Sequence, residues 1–183
     1  HGSASAEDDI DVFVVAAHNR LWLTRFAEQI FYRLMGVRRR YGDKDVSDRI
    51  CINYYTSDRE IDFSGNNTNR FISALEIAMM KPVVHHEFYE QILYENRWIR
   101  EYFPGVSNGL PGKKENKKTR FLSFIPDITD LLCMKVGIGY MRLMRHPIDN
   151  VVVKRNSIQF FDRTFWKGKE QQWKRLLELY DVG

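Results

Sequence analysis

Long apolar runs, cysteine and recognisable metal-ligand spacings are what this sequence has least of, and each shortage closes a class of function. No window approaches the roughly 20 apolar residues of a membrane-spanning helix. The best stretch, Phe121 to Met144, is broken by Pro126, Asp127, Asp130, Lys135 and Arg142, so any membrane role is expected to be peripheral. Cysteine occurs twice, as Cys51 and Cys133, with no CxxC pair. That argues against a disulfide framework or a zinc finger and fits a reducing compartment. Neither HExxH nor GxxxxGK[ST] occurs, so zincin and P-loop chemistry drop out.

The motifs that do occur are weak. His85-His86-Glu87 places adjacent imidazoles about 100° apart on a helix, which does not let them share a metal as an i, i+4 pair does. Val136-Gly137-Ile138-Gly139 offers GxG, but Arg142 stands where a third glycine belongs, and no strand-turn-helix context surrounds it. Gly105-Val106-Ser107-Asn108-Gly109 matches GxSxG, yet it follows a helix stop instead of a strand. No metal, cofactor or catalytic residue is expected on this basis.

What the chain has in abundance is aromatic and basic side chains. Aromatics make up 14% of the residues, more than a small core uses, and such side chains are favoured as interface anchors. The formal charge of +4 permits an anionic partner, although the basic residues are spread out, with small clusters at Arg38-Arg39-Arg40 and from Lys113 to Lys118. Arg97-Trp98, Arg100 and Tyr102 could stack on single-stranded RNA. Their helical phase favours packing instead, and nucleic acid is not expected as a partner.

Periodicity predicts a mainly α fold, a small helical domain built on a helix hairpin with a C-terminal helical extension. Residues 1–18 read as an N-terminal tail, of which residues 1–9 are small and acidic and expected to be mobile. Ile10 to Ala17 within it suits either a short strand or the lead-in to the first helix. From Asn19 the pattern is helical, with Leu23, Phe26, Ile30 and Leu34 on one stripe and Gly36 as the stop. Asp43 to Ile50 suits a short helix, and Cys51 to Phe63 carries β-type residues. The hairpin spans Asn67 to Val106: Phe71, Leu75, Ala78 and Met79 line its first helix, and Phe88, Ile92, Ile99 and Tyr102 its second. Glu95 falls on that second stripe and wants a partner there. Residues 107–118 read as a linker and 119–183 as the extension. Within the extension Val151 to Val153 suits a short strand, and Trp166, Trp173, Leu176, Leu177 and Tyr180 a closing helix.

The residue order across the hairpin resembles the 14 kDa subunit family of mitochondrial ubiquinol-cytochrome c reductase, the cytochrome bc1 complex. Ala74-Leu75-Glu76-Ile77, Val83-Val84, Glu87, Tyr89, Glu95-Asn96, Ile99, Tyr102-Phe103 and Val106 follow the family's order without an insertion. Upstream, Tyr32 to Arg38 and Asp45 to Ile50 look like its first helix and turn, so the resemblance covers residues 19–106. Val84-His85 stands where the family has Leu-Pro, Tyr89 where it has Trp, and Ser73 where it has Arg. The resemblance implies a non-catalytic accessory subunit, peripheral on the matrix side of the mitochondrial inner membrane. Its partners would be cytochrome b, cytochrome c1, the core proteins and possible lipid headgroups. Hemes and the iron-sulfur cluster would sit on those partners, with no cofactor on this chain. Expected interface residues are Arg38, Arg39, Phe88, Tyr89, Glu95, Trp98 and Tyr102. A helical scaffold of another mitochondrial complex and a basic RNA-binding module are the alternatives.

Overall fold

Strands and helices alternate from the start of the chain. The computed structural model describes residues 9–39, 45–65, 70–107, 127–143 and 151–160, with isolated helical positions between 168 and 178. The order is β1 (Ile10–Ala16), α1 (Leu21–Leu34), β2 (Ile50–Ser57), α2 (Arg70–Met79), α3 (His86–Glu95), 3-10 turns at Arg97–Glu101 and Pro104–Ser107, α4 (Asp127–Leu143), β3 (Val151–Val153) and β4 (Ser157–Phe160). Helix takes about 53% and strand about 19% of these residues, and the strands form one mixed sheet. The fold is therefore α/β, which corrects the mainly α expectation. Ile10 to Ala16 takes the strand alternative, whereas the residues before β2 form a turn and not a helix. The first eight residues, the linker after residue 107 and the stripe from Trp166 to Tyr180 lie outside the described residues.

Two compact units divide the chain, His1–Glu60 with Lys118–Phe161, and Ile61–Lys117 with Asp162–Gly183. In the first, β1, α1 and β2 make a parallel β-α-β unit, the connection that parallel strands require. The sheet order is β1-β2-β4-β3, with β4 antiparallel to both of its neighbours. Period-2 alternation, reset in β2 by one extra residue at Asn53, sends Val12, Val14 and Ala16 of β1, Ile52 and Tyr55 of β2, and Ile158 of β4 into one core with Leu21, Trp22 and Met141. Trp22 is fixed there by its indole N–H, which donates to the Arg155 carbonyl at 2.9 Å.

Helices α1 and α4 lie side by side and parallel. Asn19 Nδ2 donates to Asp127 Oδ2 at 3.0 Å near their N-termini, and Arg33 Nη2 to the Tyr140 hydroxyl at 3.3 Å near their C-termini. No side chain caps α1 from its own N-cap residue, Arg20. The buried Asp130 of α4 does so instead, accepting from the Leu23 N–H at 2.9 Å. Gly36 ends the helix at φ +70°, a conformation that favours glycine. The stripe Phe26, Ile30 and Leu34 is helical as expected but points outward, because Leu21, Trp22 and Arg25 take the buried face.

In the second unit α2 buries Phe71, Ile72, Ala74 and Ile77, and α3 buries Ile92 and Leu93. The second hairpin helix stops at Asn96 instead of running on to Tyr102. Asn96 is fully buried, donating to the Ile61 and Ile92 carbonyls at 2.6 and 2.8 Å and accepting from the Phe63 N–H at 2.7 Å. A side chain that satisfies three backbone groups competes with helix continuation. Asn96 is thus a buried polar group of this unit, while its neighbour Glu95 is half-buried.

Candidate metal and phosphate site

The face of the sheet away from α1 and α4 is where the chemistry gathers. Alternation along β1 puts Asp9 and Asp11 on that face, one strand position apart from each other through Ile10. Parallel pairing sets Cys51 of β2 beside Asp11. One ligating atom from each of Asp9, Asp11 and Cys51 lies within 4.8 Å of the others. β1 is an edge strand, so the acids stand on the open margin of the sheet.

A break in register between Val12 and Phe13 makes Asn53 the extra residue on β2. Bulges re-aim side chains next to functional sites. Here Asn53 Nδ2 donates to Asp11 Oδ1 at 2.5 Å, and its Oδ1 accepts from the Cys51 thiol at 3.1 Å. The amide therefore orients both a carboxylate and the thiol. Just beyond the bulge Phe13 and Tyr54 stack at 4.8 Å, and Gln159 of β4 donates to the Tyr54 hydroxyl.

Arg39 completes the cluster. Its Nη1 is 2.5 Å from Asp9 Oδ2 and 4.0 Å from Cys51 Sγ. The backbone carries it there: the Arg39 N–H donates to the Ile50 carbonyl, and the Ile50 N–H to the Val37 carbonyl, which ties the segment after α1 to the start of β2. Burial pushes the Cys51 thiol up to about 11, so it stays protonated near neutrality and leaves the carboxylates as the charged ligands.

Arg38 points elsewhere, toward a second polar group beneath α1. Arg25 stacks its guanidinium over the rings of Tyr55 at 5.3 Å and Phe160 at 5.0 Å. Burial lowers the pKa of Arg25 and Arg38 and raises those of Glu28 and Tyr55. Tyr55 places this group on the helix side of the sheet, although Arg38 also feels the Cys51 thiol.

The other expected interface residues are all in the second unit. Trp98 donates to Asn96 Oδ1 at 3.1 Å and lies under the Arg70 guanidinium at 4.9 Å. Tyr102 meets Phe71 edge-on at 5.9 Å, and the Tyr89 hydroxyl donates to the Ile77 carbonyl at 3.3 Å. Phe88, like Glu95, is half-buried. The contacts of Trp98, Tyr102 and Tyr89 named above are internal to that unit. His85 takes a left-handed φ of 56° ahead of α3 and pairs with Glu87 at 3.1 Å on the surface.

The sequence reading missed Asp9, Asp11 and Cys51 because it assigned the first acids to a tail. The available signal was Asp9-Ile10-Asp11, two carboxylates at strand spacing opening an apolar run. No known protein family, curated protein or solved structure matches the chain. The resemblance to the bc1 subunit thus stands on residue order alone.

Proposed function

We propose that the first unit is a divalent-cation-dependent transferase that moves a nucleotidyl group from a nucleoside triphosphate to a hydroxyl acceptor. The observation that carries this reading is the pair Asp9 and Asp11 on one face of edge strand β1, with Asn53 holding Asp11 and a guanidinium beside Asp9. Mg²⁺ is characteristically held by one or two carboxylates together with substrate phosphates. Paired acids of this kind serve the metal-assisted in-line displacements of polymerases and nucleases.

Other ways of holding a nucleotide fit the chain less well. It has no P-loop, and dinucleotide folds bind ligands at the carboxyl ends of their strands, whereas these acids open β1 at its amino end. In the proposed reaction the acceptor hydroxyl attacks the α-phosphorus and its proton passes to solvent. A new P–O bond forms as the bond to pyrophosphate breaks. A bound cation would supply charge neutralisation on the phosphates. Asp9 and Asp11 would hold it, Asn53 orients Asp11, and Arg39 would be available to a phosphate oxygen.

The test is Mn²⁺ titration by electron paramagnetic resonance, followed by pyrophosphate release from each nucleoside triphosphate with candidate acceptors. Asp9→Asn and Asp11→Asn are each expected to abolish tight Mn²⁺ binding and pyrophosphate release while leaving the far-ultraviolet circular dichroism unchanged. Wild-type protein that binds no Mn²⁺ and releases no pyrophosphate refutes the proposal. Co-purification with b-type and c-type heme would favour the accessory-subunit alternative.

A further inference from the structure

The outer surface of the α1–α4 pair is apolar where a solvated helix pair is polar. Phe26, Ile30 and Leu34 project from α1, and Leu132, Val136 and Leu143 from α4, with Leu34 82% and Leu143 79% exposed. These residues recur at helical spacing along two parallel neighbours, so they form one continuous patch. Patches of this kind mark interaction surfaces.

Among the described residues of the two helices, the cations Arg33, Lys135 and Arg142 flank the apolar rows and are exposed. The acids of the two helices are Glu28, Asp127 and Asp130, and each is engaged on another side. Glu28 is turned inward against Tyr55 and Arg25, Asp127 is paired with Arg20 at 2.6 Å, and Asp130 is buried under the N-terminus of α1. An apolar stripe edged by cations, whose nearby acids are either turned inward or, like the exposed Asp127, already paired with an arginine, is the pattern of helices that lie in an anionic bilayer interface. A second copy fits it poorly. A two-fold contact would bring Arg33, Lys135 and Arg142 against the same cations with no carboxylate to pair them.

We infer that the α1–α4 face docks on the surface of an anionic lipid bilayer, with its apolar rows in the headgroup boundary and Arg33, Lys135 and Arg142 against lipid phosphates. This inference does not depend on the transferase reading, since the acids of β1 stand on the opposite face of the sheet.

Flotation with vesicles of phosphatidylcholine alone, or with phosphatidylglycerol added, tests it on the full chain. Binding is expected only to the anionic vesicles and should weaken with salt. The triple variant R33Q/K135Q/R142Q should lower the partition coefficient on the order of a hundredfold, from a few-fold effect for each cation. Leu34→Glu with Leu132→Glu should abolish binding, and since both positions are exposed, thermal melting should not change. Equal binding to neutral vesicles, no binding to either kind, or a stable dimer that L34E/L132E dissociates would each overturn the inference.

Discussion

Replacing Arg39 with alanine should move metal and nucleotide affinity in opposite directions. The guanidinium lies 2.5 Å from Asp9 Oδ2, an oxygen for which a cation would compete, with Arg39 half-exposed and Asp9 more enclosed. A partly exposed pair of this kind is worth about 1 kcal/mol or less. A guanidinium left about 5 Å from a divalent ion repels it by roughly 1 to 2 kcal/mol in water-like surroundings. Together these terms predict Mn²⁺ binding tighter by about 2 kcal/mol, on the order of thirtyfold, in Arg39→Ala. Nucleotide affinity measured at saturating metal should fall. One charge-assisted contact to phosphate is lost, about 1.5 to 3 kcal/mol, or roughly tenfold to hundredfold in Kd. Both quantities can be read by isothermal titration on the same preparation. If Arg39→Ala weakens metal binding, Arg39 supports the acids instead of occupying their ligand. If neither affinity changes, the phosphate role assigned to Arg39 fails.

The packing and the thiol set further expected outcomes. Gly137→Ala should destabilise the first unit by about 1 to 3 kcal/mol in thermal melts, because a Cβ there meets Trp22 at 2.9 Å and the indole is pinned by Arg155. Gly139→Ala, which meets nothing within 4 Å, should instead stabilise by up to about 1 kcal/mol. Asn96→Ala should cost about 3 kcal/mol by stranding the Phe63 N–H and the Ile61 carbonyl, seen as faster hydrogen exchange at Phe63. Cys51 is raised from 9.0 to about 11, so the folded state favours the protonated thiol and this contribution to stability is lost as pH rises through that window. Cys51→Ser should flatten the decline in stability across that window, and iodoacetamide should label Cys51 at pH 8 on the order of a hundredfold more slowly than an ordinary thiol.

What could be read in the sequence was local, and what could not was long-range. Helix α1, its glycine stop and the two helices of the hairpin follow from 3.6-residue periodicity, and they are present. Which face of α1 is buried did not follow. Phe26, Ile30 and Leu34 form the cleaner apolar stripe, yet Trp22 and Arg25 hold the inward side through contacts with Arg155, Tyr55 and Phe160, at positions remote in sequence. β1 reads ambiguously because Val14 and Val15 are apolar on both faces, and β4 is four residues whose strand character depends on lying between β2 and β3. Asp9 and Asp11 became a site only once β1 was a strand, since period 2 is what puts them on one face. The Gly137-Ile138-Gly139 pattern reads as a weak nucleotide motif, and in the fold Gly137 gives helix α4 room to approach Trp22.

The sheet order has a consequence for how the chain can be made. β4 lies between β2 and β3, but it leaves the ribosome roughly 100 residues after β2, which at 5–20 residues per second is about 5 to 20 s. Through that interval the nascent β1-α1-β2 unit carries an unpaired β2 edge, a bare Trp22 and an α1 whose first turn lacks the carboxylate of Asp130. Ile61–Lys117 is synthesised inside that window. Slow translation through this region should therefore extend the exposure of a sticky strand edge, and chaperone dependence or aggregation during expression should peak in chains truncated between β2 and β4.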